Sequence, residues 1–386
     1  MELCVKIIIS TDSIKYPITG IARYASELIS HFSDMPEIES LKYMSGLKVV
    51  DSKPEIPNAP MSSSKSIKKF LSNSKLVSDV YRLVVPALKG KALLSYQDYI
   101  YHSPNYYLPP GHKKSCATFH DLSVFKYPGY HPRGRVHLMH KELISAAKRA
   151  TVLITDSHYT KNEISEFFDF PPSKIVVTPL ASSGDFFPRK EVDCLSVMER
   201  YGLKFGNFTF FAGTIEPRKN IKNLLLAYQN LPKALSTAFP LVISGYKGWE
   251  SEDIHRLFED GSKQGWLKYL GYVDQHSLSV LYSSCRGFLF PSRYEGFGLP
   301  VLEAMAAGTP VITSNVTSLP EVAGDAALLV DPDDIDLLAS HIQSLLLDDL
   351  LCHQLVQKGF VQNAKFSWRK CAIETINAYK LVEELQ

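Results

Sequence analysis

Cysteine pairs at C-x-x-C spacing are absent from this chain. Its six cysteines, Cys4, Cys116, Cys194, Cys285, Cys352 and Cys371, are scattered, which argues against a zinc clip or disulfide frame and for reduced thiols. Long apolar runs are missing too. Nothing approaches the roughly 18 residues of a membrane span, and Val5 to Ile9 is too short for the apolar core of a signal peptide. Neither charge dominates: 42 Lys and Arg against 40 Asp and Glu leave +2, which argues against a nucleic-acid binder whose whole surface is basic. The first strand-to-helix loop lacks Gly-x-Gly-x-x-Gly, so a nicotinamide-dependent oxidoreductase is disfavoured. No Asp-x-Asp pair stands at a strand end, because Asp331-Pro332-Asp333-Asp334 reads as a loop and helix cap. The composition is that of an ordinary soluble globular protein, and the expected location is the cytoplasm, with contact to a membrane surface left open.

At 386 residues the chain exceeds a single usual core, so two domains are expected. Strand-like runs alternate with helical patterns: Cys4–Ser10, Asp98–His102, Ser115–Phe119, Thr151–Thr155 and Lys174–Thr178, then Phe208–Ala212, Pro240–Ser244, Trp266–Gly271, Gly287–Phe290, Pro310–Thr313 and Ala327–Val330. Such alternation signals α/β domains with helix-covered parallel sheets. Thr178 to Arg189 has the proline, glycine and serine content of a connector, which places the boundary near residue 188. Trp368 to Gln386 reads as one amphipathic helix. Residues 61–93 carry seven basic residues against one acid, Asp79, with apolar positions at helical spacing. That pattern suits either an anionic membrane surface or a helix packed on the first domain.

From Pro291 to Pro310 the chain reads P-S-R-Y-E-G-F-G-L-P-V-L-E-A-M-A-A-G-T-P, with Glu295 and Glu303 eight positions apart around a glycine turn. Gly287–Phe290 reads as a buried strand and Pro300–Ala307 as a helix stopped by Gly308, so the turn falls where open α/β sheets bind ligands. Gly296 and Gly298 allow close backbone approach, and the N–H groups opening the next helix suit a phosphate. If one helix carries both carboxylates, they stand about two turns, roughly 12 Å, apart on similar faces. A glycosidase pair needs carboxylates roughly 5 to 9.5 Å apart across one bond, and no other sugar cleft is signalled.

A second string, F-A-G-T-I-E-P-R-K-N at Phe211–Asn220, follows a buried strand and precedes the helix Ile221–Asn230. Arg218 and Lys219 then sit at a helix start, where cations oppose the dipole and a bound anion resolves the conflict. A planar fork beside a point charge suits two phosphates. Thr11 to Tyr24 places Gly20 at a helix opening. In A-T-F-H-D-L, Ala117–Leu122, His120 and Asp121 leave the end of a strand. Asp121 has three open roles: orienting His120, contacting an acceptor, or capping the next turn.

These strings resemble the retaining glycosyltransferases of family 4, which have the GT-B fold. The likeness to mannosyltransferases of O-antigen synthesis rests on G-T-I-E-P-R-K-N, on the run around Glu295, and on L-P-E-V at Leu319–Val322. The resemblance implies two Rossmann-like, doubly wound parallel-sheet domains facing a central cleft. Residues 1–188 form the acceptor side, 189–367 bind the nucleotide sugar, and helix 368–386 crosses back to the first domain. It further implies a sugar transfer from a nucleotide diphosphate, with GDP-mannose the first donor and UDP-sugars the alternative, to a glycan or lipid-linked hydroxyl.

In that scheme Arg218 and Lys219 hold the pyrophosphate, Glu295 the sugar hydroxyls and Glu303 the ribose. Gly20, Gly213, Thr214, Gly245, Gly296, Phe297, Gly298 and Leu299 line the donor, the main chain at Val273 reads the base, and His120 faces the transferred sugar. Asp121, Arg133 and Arg135 lie on the acceptor side, where the basic stretch 126–149 faces a lipid diphosphate or merely solvent. No metal or other cofactor is expected, because the Arg-Lys pair does a cation's work. Nucleic acid is not an expected partner, and inner-membrane contact through 61–93 is. A non-catalytic binding subunit is the other class considered, and the joint presence of Arg218, Lys219, Glu295 and Glu303 argues against it.

Overall fold

A computed structural model describes residues 4–14, 20–53, 75–131, 133–246, 248 and 252–386, without the side chains of 75–83, 133, 135, 252 and 253. The chain divides into two compact units, residues 1–180 with 368–386, and residues 181–367. Among the described residues no helix is long and apolar enough to cross a membrane.

Unit 1 contains strands β1 (Val5–Ser10), β2 (Ile38–Ser45), β3 (Lys48–Val50), β4 (Ile100–Ser103), β5 (Ser115–Thr118), β6 (Val152–Thr155) and β7 (Ile175–Val177). They form one seven-stranded sheet in the order β3-β2-β1-β4-β5-β6-β7. β4, β5 and β6 are buried at every position, as a sheet covered on both faces requires. The sequence reading contained neither β2 nor β3. β2 carries Glu39, Ser40 and Lys42 among its apolar residues, and β3 joins it antiparallel as a short sheet edge. Antiparallel edges on otherwise parallel sheets are common, and they weaken the continuous apolar signal on which the reading relied.

The helix Trp368–Glu384 buries Trp368, Cys371, Ala372, Thr375, Ile376, Ala378, Tyr379 and Val382 within unit 1. Tyr379 is hydrogen-bonded to His102 Nδ1 at 2.6 Å, and the other ring nitrogen meets Thr118 Oγ1 at 2.9 Å. Thr118 Oγ1 lies 3.1 Å from the Tyr24 hydroxyl. Burial pushes the His102 pKa down to about 3, so the ring stays neutral at the centre of this buried chain.

Unit 2 contains β8 (Thr209–Ala212), β9 (Leu241–Ser244), β10 (Leu267–Gly271), β11 (Gly287–Phe290), β12 (Val311–Ser314) and β13 (Ala327–Val330). Their order, β10-β9-β8-β11-β12-β13, is the doubly wound nucleotide-binding arrangement, all parallel. The strand order reverses between β8 and β11, so the loops leaving these two strands flank the crevice where such sheets hold ligands. All six cysteines are free, five of them buried.

Candidate active site

The loops after β8 and β11 converge in unit 2. The β8 loop ends in a single 3₁₀ turn, Pro217–Lys219, and Asn220 enters the helix Ile221–Gln229 with φ 58°. Asparagine tolerates that left-handed conformation. Its side-chain NH2 donates to the Pro332 carbonyl at 2.6 Å, and Asn223 donates to the same oxygen at 2.9 Å. Arg293 pairs with Asp333 at 2.5 Å and donates its backbone N–H to the Arg218 carbonyl at 2.7 Å. The Asp331–Asp334 segment thus braces the cationic loop, while Asp334 caps the next helix by accepting from Leu337 N–H.

Glu295 stands in the loop before the helix Leu299–Ala306, and Glu303 lies within that helix. The two carboxylates therefore do not share one helix, and the two-turn spacing does not describe them. Gly298, at φ 117°, opens the helix from a conformation that side chains rarely adopt.

Glu295 has turned onto the cations. Lys219 Nζ donates to its Oε1 at 2.5 Å and Arg218 Nη1 to its Oε2 at 2.8 Å, while Arg218 Nε pairs with Glu216. Two cations and two carboxylates make this cluster neutral. Lys219 also lies 4.7 Å from the centre of the Phe290 ring. Burial works to raise the Glu295 pKa, but the charges of Lys219 and Arg218, with hydrogen bonds from Lys219 and Ser292, outweigh it and hold it at about 2. Burial, then the Arg218 charge, lowers the Lys219 pKa despite Glu295.

The turn itself is held by residues that the sequence reading did not single out. Ser318 Oγ lies 2.9 Å from the Glu295 carbonyl and 2.7 Å from that of Phe297, and Thr317 Oγ1 accepts from Glu295 N–H at 3.3 Å. Thr317 does so at φ 59°, a strained conformation for a β-branched residue. Phe297 packs edge-on against Phe366.

Gly213 and Gly245 leave β8 and β9 in close contact: a Cβ on Gly245 would meet the Gly213 carbonyl oxygen at 1.9 Å. Thr214 beside them is exposed and Leu299 half-buried. The Val273 side chain is buried after β10. Flanking these loops, Tyr246 and Tyr272 stack with ring centres 4.9 Å apart, each about half exposed. Each follows a strand by a residue or two, the one signal in the sequence that marks them.

In unit 1, Gly20 begins the helix Gly20–Phe32 and the preceding residues 15–19 lie outside the described structure. His120 Nε2 is 3.0 Å from the Pro104 carbonyl, which only accepts, so this nitrogen carries a proton. Nδ1 meets Asp156 Oδ2 at 2.7 Å. Burial lowers the His120 pKa, but Asp156 outweighs it and the value is raised above 6.5. Asp121 Oδ1 accepts from Ser123 N–H at 2.8 Å, so it caps the following turn. The side chains of Arg133 and Arg135 lie outside the described residues, as do residues 61–74 and the side chains of 75–83, while 75–92 form a helix.

The His120–Asp156 geometry sets a pH dependence. A raised folded pKa contributes stability that is complete below about 6.5 and is lost as pH rises through the folded value. Urea unfolding from pH 6 to 9 is expected to show a decline in the wild type that His120→Gln lacks. Parallel profiles would remove the charged pair.

The family model for glycosyl transferases group 1 matches residues 201–362. The O-antigen chain mannosyltransferase B of Escherichia coli is 45% identical over 380 residues, covering 98% of this chain and 100% of that protein. The serotype-specific mannosyltransferase WbdA of Escherichia coli is 32% identical over 277 residues, covering 69% of this chain and 33% of that longer protein. Among solved structures, sucrose-phosphate synthase from Thermosynechococcus elongatus superposes with a TM-score of 0.70 at 19% identity, over 99% of this chain and 100% of that one, a likeness that speaks for the fold. With a relative this similar along nearly its whole length, the chain belongs to the group 1 glycosyl transferases.

Proposed function

We propose that the protein transfers mannose from GDP-mannose, with retention at the anomeric carbon, to a hydroxyl of a growing glycan or lipid-linked acceptor in O-antigen synthesis. The observation that carries the reading is the cluster of Arg218 with the buried Lys219 and Glu295 at the point where the unit 2 sheet reverses strand order. A departing diphosphate needs preorganised positive charge, and the two cations with the amides from Gly296 to Gly298 supply it. As the donor enters, its phosphates take over the cations and Glu295 turns to the sugar hydroxyls, while Glu303 receives the ribose. The close pass of Gly213 and Gly245 admits the nucleotide backbone, the Val273 main chain reads the base edge, and the Tyr246–Tyr272 stack offers the base an aromatic face. His120 meets the transferred sugar through its backbone, because both ring nitrogens are engaged within unit 1.

The identity to an O-antigen chain mannosyltransferase supports mannose as the sugar. The reading includes catalysis without a metal, a cytoplasmic location, and contact with the inner membrane surface through 61–93. A panel of nucleotide sugars tests it by thermal protection and turnover. GDP-mannose is expected to protect and to turn over with chelator present. Protection by UDP-sugars alone would sink the donor, and activity lost to chelator and restored by magnesium would sink metal independence.

A further inference from the structure

The string L-P-E-V at Leu319–Val322 folds as most of a short helix, Leu319–Ala323, and the residues at its start, Thr317, Ser318 and Leu319, all meet the turn 295–298. Leu319 closes against Gly298, where a Cβ would meet its Cδ2 at 2.8 Å. Gln362 anchors the far end of the helix, its NH2 donating to the Val322 carbonyl at 2.9 Å. A β-branched residue at φ 59°, as Thr317 is, persists only where its surroundings over-determine the backbone, and functional turns are where such strain collects.

Ser318 is fully buried, and its single hydroxyl proton serves two carbonyls, those of Glu295 at 2.9 Å and Phe297 at 2.7 Å. The consequence lies at the other end of those peptides. Across a trans peptide the N–H and C=O point opposite ways, and the Glu295 carbonyl shares its plane with the Gly296 N–H, the Phe297 carbonyl with the Gly298 N–H. With both oxygens drawn onto one buried Oγ, both N–H groups are turned away from Ser318.

We infer that Ser318 is a positioning residue for the diphosphate of the donor: it acts through the two peptides it holds, aiming the amides of Gly296 and Gly298 at the phosphates. The inference rests on the transferase reading, in which those amides share the diphosphate with Arg218 and Lys219. Without the hydroxyl, two buried carbonyls lose their donor and their peptide planes rotate to find another. The loss then falls on the phosphates and spares the base and ribose, which meet other residues.

Titration of the full chain with GDP and with guanosine, followed by NMR, tests it. Ser318→Ala is expected to bind GDP about tenfold more weakly than the wild type and guanosine equally well. A general loosening of unit 2 would weaken both ligands together, so a parallel loss, or an unchanged affinity for GDP, would overturn the proposal. If the alanine variant fails to fold, Ser318→Cys takes its place, because a thiol fills the site yet donates weakly, and the same selective loss is expected. A wild type that binds neither GDP nor UDP would end the transferase reading together with this one. A wild type that prefers UDP is tested with UDP and uridine, where a selective loss of UDP is the expected result and a parallel loss the overturning one.

Discussion

Glu295→Gln is expected to lower sugar transfer at least about 100-fold while tightening binding of bare GDP. Glu295 has two partners that a diphosphate also wants, Lys219 at 2.5 Å and Arg218 at 2.8 Å. On the proposed function, the carboxylate therefore competes with the donor's phosphates. Removing its charge moves the cluster of Glu216, Arg218, Lys219 and residue 295 from neutral to +1, which favours the diphosphate by roughly tenfold in Kd. On the same reading the change also removes the proposed acceptor for sugar hydroxyls, so turnover is expected to fall although GDP binds better. Calorimetry for GDP and a turnover assay separate the two effects. A variant that lost both together would show that Glu295 does not compete with phosphate.

Glutamine is preferable to alanine here. Breaking a buried ion pair outright costs about 3–5 kcal/mol, because the remaining charge is stranded. The pH response follows from the low pKa of about 2: the stabilising contribution of Glu295 is complete above its ordinary value of 4.5 and is lost as pH falls toward 2. An acid limb in activity between pH 5 and 7 must then belong to another group.

Lys219→Ala is expected to cut turnover by about 100- to 1000-fold with the fold retained. Lys219 is buried, lies over Phe290, and has Glu295 for its ion-pair partner, which retains Arg218 when the lysine is gone. Burial and the Arg218 charge lower the Lys219 pKa, so the wild-type site should lose its point charge at lower pH than an ordinary lysine would. Circular dichroism and thermal melting check the fold, and turnover checks the role. Full activity in the alanine variant would remove Lys219 from the site.

Much of unit 2 was legible because its strands are short apolar runs closed by turn residues. Gly287–Phe290 and Ala327–Val330 match the structure to the residue, and the others differ by a residue or two. β2 escaped because its polar residues interrupt the run and its pairing with β3 depends on a register that composition does not encode. The locations of Arg218, Lys219 and Glu295 were legible from motif context. Their mutual pairing was not, since it joins residues 76 and 77 positions apart. The stack of Tyr246 on Tyr272 was hidden for the same reason: strand order brings the two together, and local sequence carries no trace of it. Asp156 went unremarked because nothing in T-D-S announces that a histidine just past the neighbouring strand will reach it.

The return of Trp368–Glu384 to unit 1 has a consequence for the order in which the molecule is made. Unit 2, residues 181–367, is complete before the helix that buries Tyr379 against His102 has been synthesised. The half of the protein that begins first is thus finished last. Until residue 384 leaves the ribosome, the unit 1 sheet carries an apolar groove awaiting its last helix, a natural client for a chaperone during translation.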